Sequence, residues 1–139
     1  MIQIIAGEKG KGKTKIVLDK ANKEVESAKG NVVYLDKTNK HRYALSNKVR
    51  LINVKEYFVE SYDEFIGFIS GIIASDHDLQ SIYFDSFLQI AYTDDDSLES
   101  IINRFEKISD HNNVNFIISI SRNSDQLPEN IRKYVDVAL

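Results

Sequence analysis

Eight residues near the start of the chain, Gly7-Glu8-Lys9-Gly10-Lys11-Gly12-Lys13-Thr14, carry three glycines, three lysines and a threonine in the spacing G-x-x-x-x-G-K-[ST]. Glycines let the backbone turn so that successive N–H groups converge on an anion. A helix opening immediately afterwards would add the positive end of its dipole. A phosphate group is the guest that such a loop expects. Lys13 would pair with terminal phosphate oxygens as a point charge. The Thr14 hydroxyl would ligate a Mg²⁺ held mostly by water and phosphate. The candidate binding set is Gly7, Glu8, Lys9, Gly10, Lys11, Gly12, Lys13, Thr14 and the adjoining Lys15.

Other chemistries find little in this sequence. There is no cysteine, which removes disulfides, thiol nucleophiles and thiolate metal sites and fits a reducing compartment. His41, His77 and His111 stand at least thirty residues apart and show no i, i+4 pair, so they read as loop or helix-end residues and not as a zinc site. No G-x-S-x-G elbow occurs. A formal charge of −3 is too balanced for wholesale binding to nucleic acid or to an acidic membrane. The longest apolar stretch, Phe65 to Ala74, is far short of the ~20 residues of a membrane span, and no charged and apolar leader opens the chain. A cytoplasmic protein without membrane insertion is the expectation.

The loop needs a strand before it and a helix after it, and the sequence offers both. Ile2 to Ala6 and the apolar runs Asn31–Asp36, Ser81–Asp85 and Asn115–Ile120 read as strands buried on both faces. Tyr134 to Ala138 is a fifth, and Val49 to Val54 alternates as an edge strand would. Helical periodicity runs from Lys13 to Ala28 through Val17, Ala21 and Val25, with Gly30 placed to end it. Ser61-Tyr62-Asp63-Glu64 is a capping-box sequence opening a second helix. Leu98, Ile101, Ile102, Phe105 and Ile108 stripe a third, with Asp94, Asp95 and Asp96 in its first turn, and Leu127-Pro128-Glu129 starts a short fourth. At 139 residues, 42% of them hydrophobic, this is one α/β domain spanning 1–139, too short for a (β/α)₈ barrel of about 250 residues.

The glycine-lysine loop resembles the Walker A motif of the P-loop NTPase superfamily. That resemblance implies ATP as ligand and Mg²⁺ as cofactor. It makes Asp85 the counterpart of the Walker B aspartate, so that Thr14 and Asp85 would hold the metal. The chain order resembles the RecA-like division, which implies a three-layer, mostly parallel five-stranded sheet in the order 5-1-4-3-2 with helices on both faces. That order would bring Asp36 near Asp85. Ser119, Ser121 and Asn123 end the fourth strand, and Ser121 is the sensor candidate. A fainter likeness is to short bacterial ATP-binding proteins given a twitching-motility ATPase label. Pilus-retraction ATPases are much longer and carry an acidic and a histidine box not found here, so their motor function does not carry over.

The departures bear on mechanism. Hydrolysing members of the division carry a glutamate beside the Walker B aspartate or on the neighbouring strand, and here Ser86 follows Asp85. Asp36 is the substitute for polarising water and joins Lys13 as a catalytic candidate, ahead of Glu8 and Glu56. Slow or partner-activated hydrolysis follows, with a nucleotide-sensing module and a small-molecule phosphotransferase as the rival readings. For the phosphotransferase only Arg122 and Arg132 could act as lid arginines. No N-K-x-D sequence reads guanine, which disfavours GTP.

Two features stand apart. Lys37 to Arg50 holds five basic side chains, His41 and no acid, and is a solvated loop or a contact to polyphosphate, nucleic acid or an acidic partner. The helix from Tyr62 to Ala74 is apolar nearly all round. Its small stripe of Gly67, Ser70, Gly71 and Ala74 would pack inside the chain or against a second copy. A chain this short, with no lid, would be completed by a protein partner or by a homodimer.

Overall fold

Strands that are apolar on both faces must be covered on both, and a parallel pair needs a crossover to bring the chain back to the same edge. A computed structural model, which describes residues 1–139, shows both requirements met. Strands β1 (Ile2–Ala6), β2 (Asn31–Asp36), β3 (Val49–Asn53), β4 (Leu79–Phe84), β5 (Asn115–Ile120) and β6 (Val135–Ala138) form one sheet in which every neighbouring pair is parallel. Helix α1 (Lys13–Ser27) covers one face, and α2 (Tyr62–Ser75), the single turn α3 (Phe87–Ile90) and α4 (Leu98–Asn112) cover the other. The fold is α/β, as expected.

The strand order is β3-β2-β4-β5-β1-β6. It differs from the expected 5-1-4-3-2 because Val49–Asn53 adds a sixth strand outside β2, and every later strand is renumbered. Val54 leaves that strand and begins a 3₁₀ turn. The register Tyr34↔Tyr83 and Phe84↔Ile118 sets β4 centrally between β2 and β5.

Because side chains alternate along a strand, each one divides its residues between two cores. Val33 and Leu35 of β2, Ile82 and Phe84 of β4, and Phe116, Ile118 and Ile120 of β5 join a cluster of 27 buried residues with α2, α3 and α4. Its centre is aromatic. Phe65, Phe84, Phe87, Phe105 and Phe116 pack with ring centroids 5.3–6.4 Å apart, mostly edge to face. The intervening residues, Val32 and Tyr34, Tyr83, and Ile117, face α1 in a smaller cluster of nine.

Several local expectations are corrected. Helix α1 ends at Ser27, with Ala28 extended, and Gly30 does not cap it. A Cβ on Gly30 would collide with the Asp78 carbonyl and touch Gln80, so glycine serves the approach of the chain to β4. Ser61 caps α2 by accepting from the Glu64 amide at 3.2 Å, but the Glu64 carboxylate reaches the Glu60 amide and not that of Ser61. Asp94, Asp95 and Asp96 precede α4, whose first-turn acid is Glu99. Leu127-Pro128-Glu129 leads into a 3₁₀ segment, Glu129–Tyr134, and β6 begins one residue later than read.

Helix α2 buries only Phe65, Ile66 and Ile69 fully. Gly67, Ser70, Gly71 and Ala74 are exposed, and Gly67 and Gly71 border a recess whose other walls include Val33, Arg50, Ile52 and Tyr57.

Candidate functional site

At the carboxyl end of the sheet the same alternation collects polar groups on the α1 face: Tyr34 and Asp36 from β2, Asp85 just past β4, and Ser119 from β5. Ligands of open α/β sheets bind outside this end. The Asp85 amide donates to the Leu35 carbonyl at 3.0 Å, which carries the β2–β4 ladder one step beyond the strand and fixes the aspartate beside Asp36. Beyond it Ser86 takes a left-handed backbone, φ 56°, and donates its amide to the Ser119 hydroxyl at 3.0 Å.

Asp85 is 3% exposed and accepts three hydroxyls from three elements. Tyr34 donates to Oδ2 at 2.9 Å, while Ser119 at 3.1 Å and Thr14 at 3.4 Å donate to Oδ1. Burial first, and then the Asp85 charge, hold the Tyr34 hydroxyl protonated well above its ordinary range, so it remains a donor.

The glycine-lysine loop joins β1 to α1. Gly10 and Gly12 take φ of 86° and 94°, values that a side chain would strain, and Gly12 lies immediately before Lys13, the first residue of α1. Lys13 is largely buried and its ammonium donates to the Glu8 carbonyl at 3.1 Å. Burial lowers its pKa, against the opposing pull of Asp85. Gly7 departs from the expected role, because its amide donates to the Ile120 carbonyl at 3.3 Å and is taken up in the β1–β5 junction. The Lys11 amide likewise donates to Glu8.

A cavity of about 610 Å³ lies between this loop and the segment after β2. Of the candidates, Lys9, Gly10, Gly12, Lys13, Thr14, Asp36, Asp85 and Ser121 line it. Gly7, Glu8, Lys11 and Lys15 do not. Glu8 turns to the Asn123 amide, and Lys15 pairs with Asp19 along α1. Ser121 reaches the wall, but the serine on Asp85 is Ser119. Glu56 is exposed, bonded to Asn39, and away from the cavity. Arg122 lines the wall and pairs with Asp95 at 3.0 Å, whereas Arg132 is bonded to the Leu127 and Asp125 carbonyls and stays outside.

Asp36 does come close to Asp85. Ligand-type atoms of Asp36, His41 and Asp85 all lie within 4.8 Å of one another. Both Asp36 oxygens are engaged, Oδ1 by the Lys37 amide at 2.7 Å and Oδ2 by His41 Nδ1 at 2.9 Å. The carboxylate thus orients the imidazole, and a proton on Nδ1 leaves Nε2 as an acceptor. These carboxylates and the Thr14 hydroxyl are hard oxygen donors of the kind that hold Mg²⁺.

Lys37, Lys40, His41, Ser86 and Gln89 complete the wall without having been chosen as site residues. The signal for the first three was the acid-free basic run after the second strand. Tyr34 was legible as a hydroxyl within a fully apolar run, which demands a buried partner.

No protein-family model matches this chain, and no curated protein matches it either.

Proposed function

We propose that the protein binds ATP with Mg²⁺ and hydrolyses it slowly, or only when a partner completes the site. The observation that supports this best is the Thr14–Asp85 contact, since it joins the residue after Lys13, at the start of α1, to the carboxylate at the end of β4. In this reading the loop amides other than those of Gly7 and Lys11, together with the Lys13 ammonium, take the phosphates, and Thr14 and Asp85 hold the metal. The metal supplies neutralisation of charge on the phosphate oxygens. Tyr34 and Ser119 hold Asp85 in one orientation, and Asp36 does the same for His41.

No glutamate stands beside Asp85, and Asp36 is committed to two hydrogen bonds. This favours tight binding with weak turnover, raised by an arginine from a protein partner or a second copy. A non-hydrolysing nucleotide sensor is the limiting case. The phosphotransferase reading keeps only Arg122 of its two lid arginines. Nucleic acid remains a candidate partner through the basic run. We place the protein in the cytoplasm, where a chain without cysteine is at home. No helix of the structure is long and apolar enough to cross a membrane.

The test is thermal unfolding with and without Mg·ATP. A ligand at about one hundred times its Kd stabilises by about 2.7 kcal/mol. Lys13→Ala should abolish that gain while leaving the unliganded melting temperature close to that of the wild type. A wild-type protein that shows no stabilisation by Mg·ATP would overturn the reading.

A further inference from the structure

The cavity wall has an unusual composition. None of its fifteen lining residues is hydrophobic, and none is Phe or Tyr. Small-molecule pockets are ordinarily lined mostly by apolar and aromatic side chains. An aromatic platform is what holds a base by stacking, at about 1–3 kcal/mol per base. The one ring on this wall, the His41 imidazole, is tied edge-on through Nδ1 to Asp36. The exposed Tyr43, two residues further along, does not reach the wall.

The wall does carry charge. Lys9, Lys13, Lys37, Lys40 and Arg122 face Asp36 and Asp85, and none of the four lysines makes an ion pair. Lys37 donates to the neutral Gln89 amide oxygen at 2.8 Å. The two aspartates are already met by three hydroxyls, an amide and an imidazole. With Arg122 paired to Asp95, four unpaired lysines against two aspartates still leave the recess net positive, in a chain of net charge −3. The lysines come from two sides, Lys9 and Lys13 from the β1–α1 loop and Lys37 and Lys40 from the segment after β2. That arrangement suits an extended anion lying between them.

We propose that this site selects its ligand by the polyphosphate chain and not by the base. Resting on the phosphate-loop reading above, the proposal makes ATP, GTP, CTP, UTP and inorganic tripolyphosphate a single ligand class. The missing guanine reader is not replaced by an adenine reader, and the base lies outside the cavity.

Calorimetric titration of the full chain with Mg²⁺ and each of these five compounds tests it. The four nucleotides should bind within about threefold of one another, and tripolyphosphate within about tenfold of ATP. Lys40→Gln should weaken all five by a common factor of about three to ten. Citrate, similar in charge but unable to match the loop amides as a phosphate does, should not compete. ATP binding more than tenfold tighter than tripolyphosphate or than any other nucleotide overturns the proposal and leaves the phosphate-loop reading intact. So does a Lys40→Gln effect confined to one base, or competition by citrate at equal concentration. If none of the five binds, the phosphate-loop reading fails together with it.

Discussion

On one face of the sheet the strands present Phe84, Phe116 and Leu35 to α2 and α4, whereas one residue away along each strand they present Tyr83, Ile117 and Tyr34 to α1. The first core is three times the size of the second, 27 buried residues against nine, and it holds the five packed phenylalanines. The second core ends in hydrogen bonds at both extremes. Tyr34 and Tyr83 stack in parallel at 6.3 Å and send their hydroxyls in different directions, Tyr34 to Asp85 and Tyr83 to Glu24. The aromatic face thus supplies most of the apolar burial. The α1 face trades part of its burial for fixed polar groups, and it is the face that continues into the cavity.

If the two faces divide stability from ligand binding, the largest effect belongs to the aromatic side. Phe105 is fully buried and packs against Phe65, Phe84, Phe87 and Phe116. Phe105→Ala should cost about 3–5 kcal/mol of unfolding free energy in urea, with affinity for Mg·ATP below the melting transition held within about twofold. Phe105→Leu, a smaller change, serves where the alanine variant does not fold. A loss of affinity that tracks the loss of stability would break the division between faces.

The α1 face offers a finer comparison, because its two tyrosines are alike in burial and differ in what they hold. Glu24 accepts from Gln80 at 2.7 Å and from Ser81 and Tyr83 at 2.6 Å, which ties α1 to the amino-terminal half of β4. Tyr34→Phe and Tyr83→Phe should each cost about 1–3 kcal/mol, as a carboxylate, buried for Asp85 and half-buried for Glu24, loses a donor. Only Tyr34→Phe should also raise the Mg²⁺ concentration needed for nucleotide-dependent stabilisation, by about tenfold, the usual scale for losing a group that orients a metal ligand. Equal Mg²⁺ dependence in the two variants would show that Asp85 does not depend on Tyr34 for its orientation.

The same alternation explains what could be read from residues alone. The loop, its strand and its helix were legible because Gly, Lys and Thr at fixed spacing leave few other readings, and the apolar runs marked all the central strands. The approach of Asp36 to Asp85 followed from the expected strand order. What failed was local and depended on contacts that the motif residues by themselves do not show. Gly30 resembles a helix cap until β4 lies against it. Gly7 seems free to bind an anion until Ile120 takes its amide. Ser119 and Ser121 are both serines near one strand end and both reach the cavity, but only Ser119, still within β5, is held against Asp85, whereas Ser121 lies past the strand's last residue. Asp36 read as a free base because nothing in its own segment announces that His41 and Lys37 fold back onto it.

The smallest effect is the most diagnostic of the polar face. Burial, hydrogen bonding and the Asp85 and Glu24 charges raise the pKa of both tyrosines far above the ordinary value of 10.0. Above about pH 10 the unfolded chain releases these protons and the folded one retains them, so their stabilisation is complete below pH 10 and is lost as pH rises beyond it. Each should contribute a slope of up to about 1.4 kcal/mol per pH unit between pH 10 and 11. Lys13 acts in the opposite sense. Its lowered pKa means that the unfolded chain holds the extra proton just below 10.5, so that part of stability rises with pH and is complete above 10.5. The net expectation is a shallow change up to about pH 10.5 and a steeper fall beyond. In urea unfolding across pH 9–11.5, Tyr34→Phe and Tyr83→Phe should each flatten that fall by about half. Phe105→Leu should lower the whole curve without altering its slope, because the phenylalanine cluster it belongs to has nothing to titrate. A double tyrosine variant with the wild-type slope would mean that the alkaline loss arises elsewhere and that the α1 face is not the polar anchor its hydrogen bonds describe.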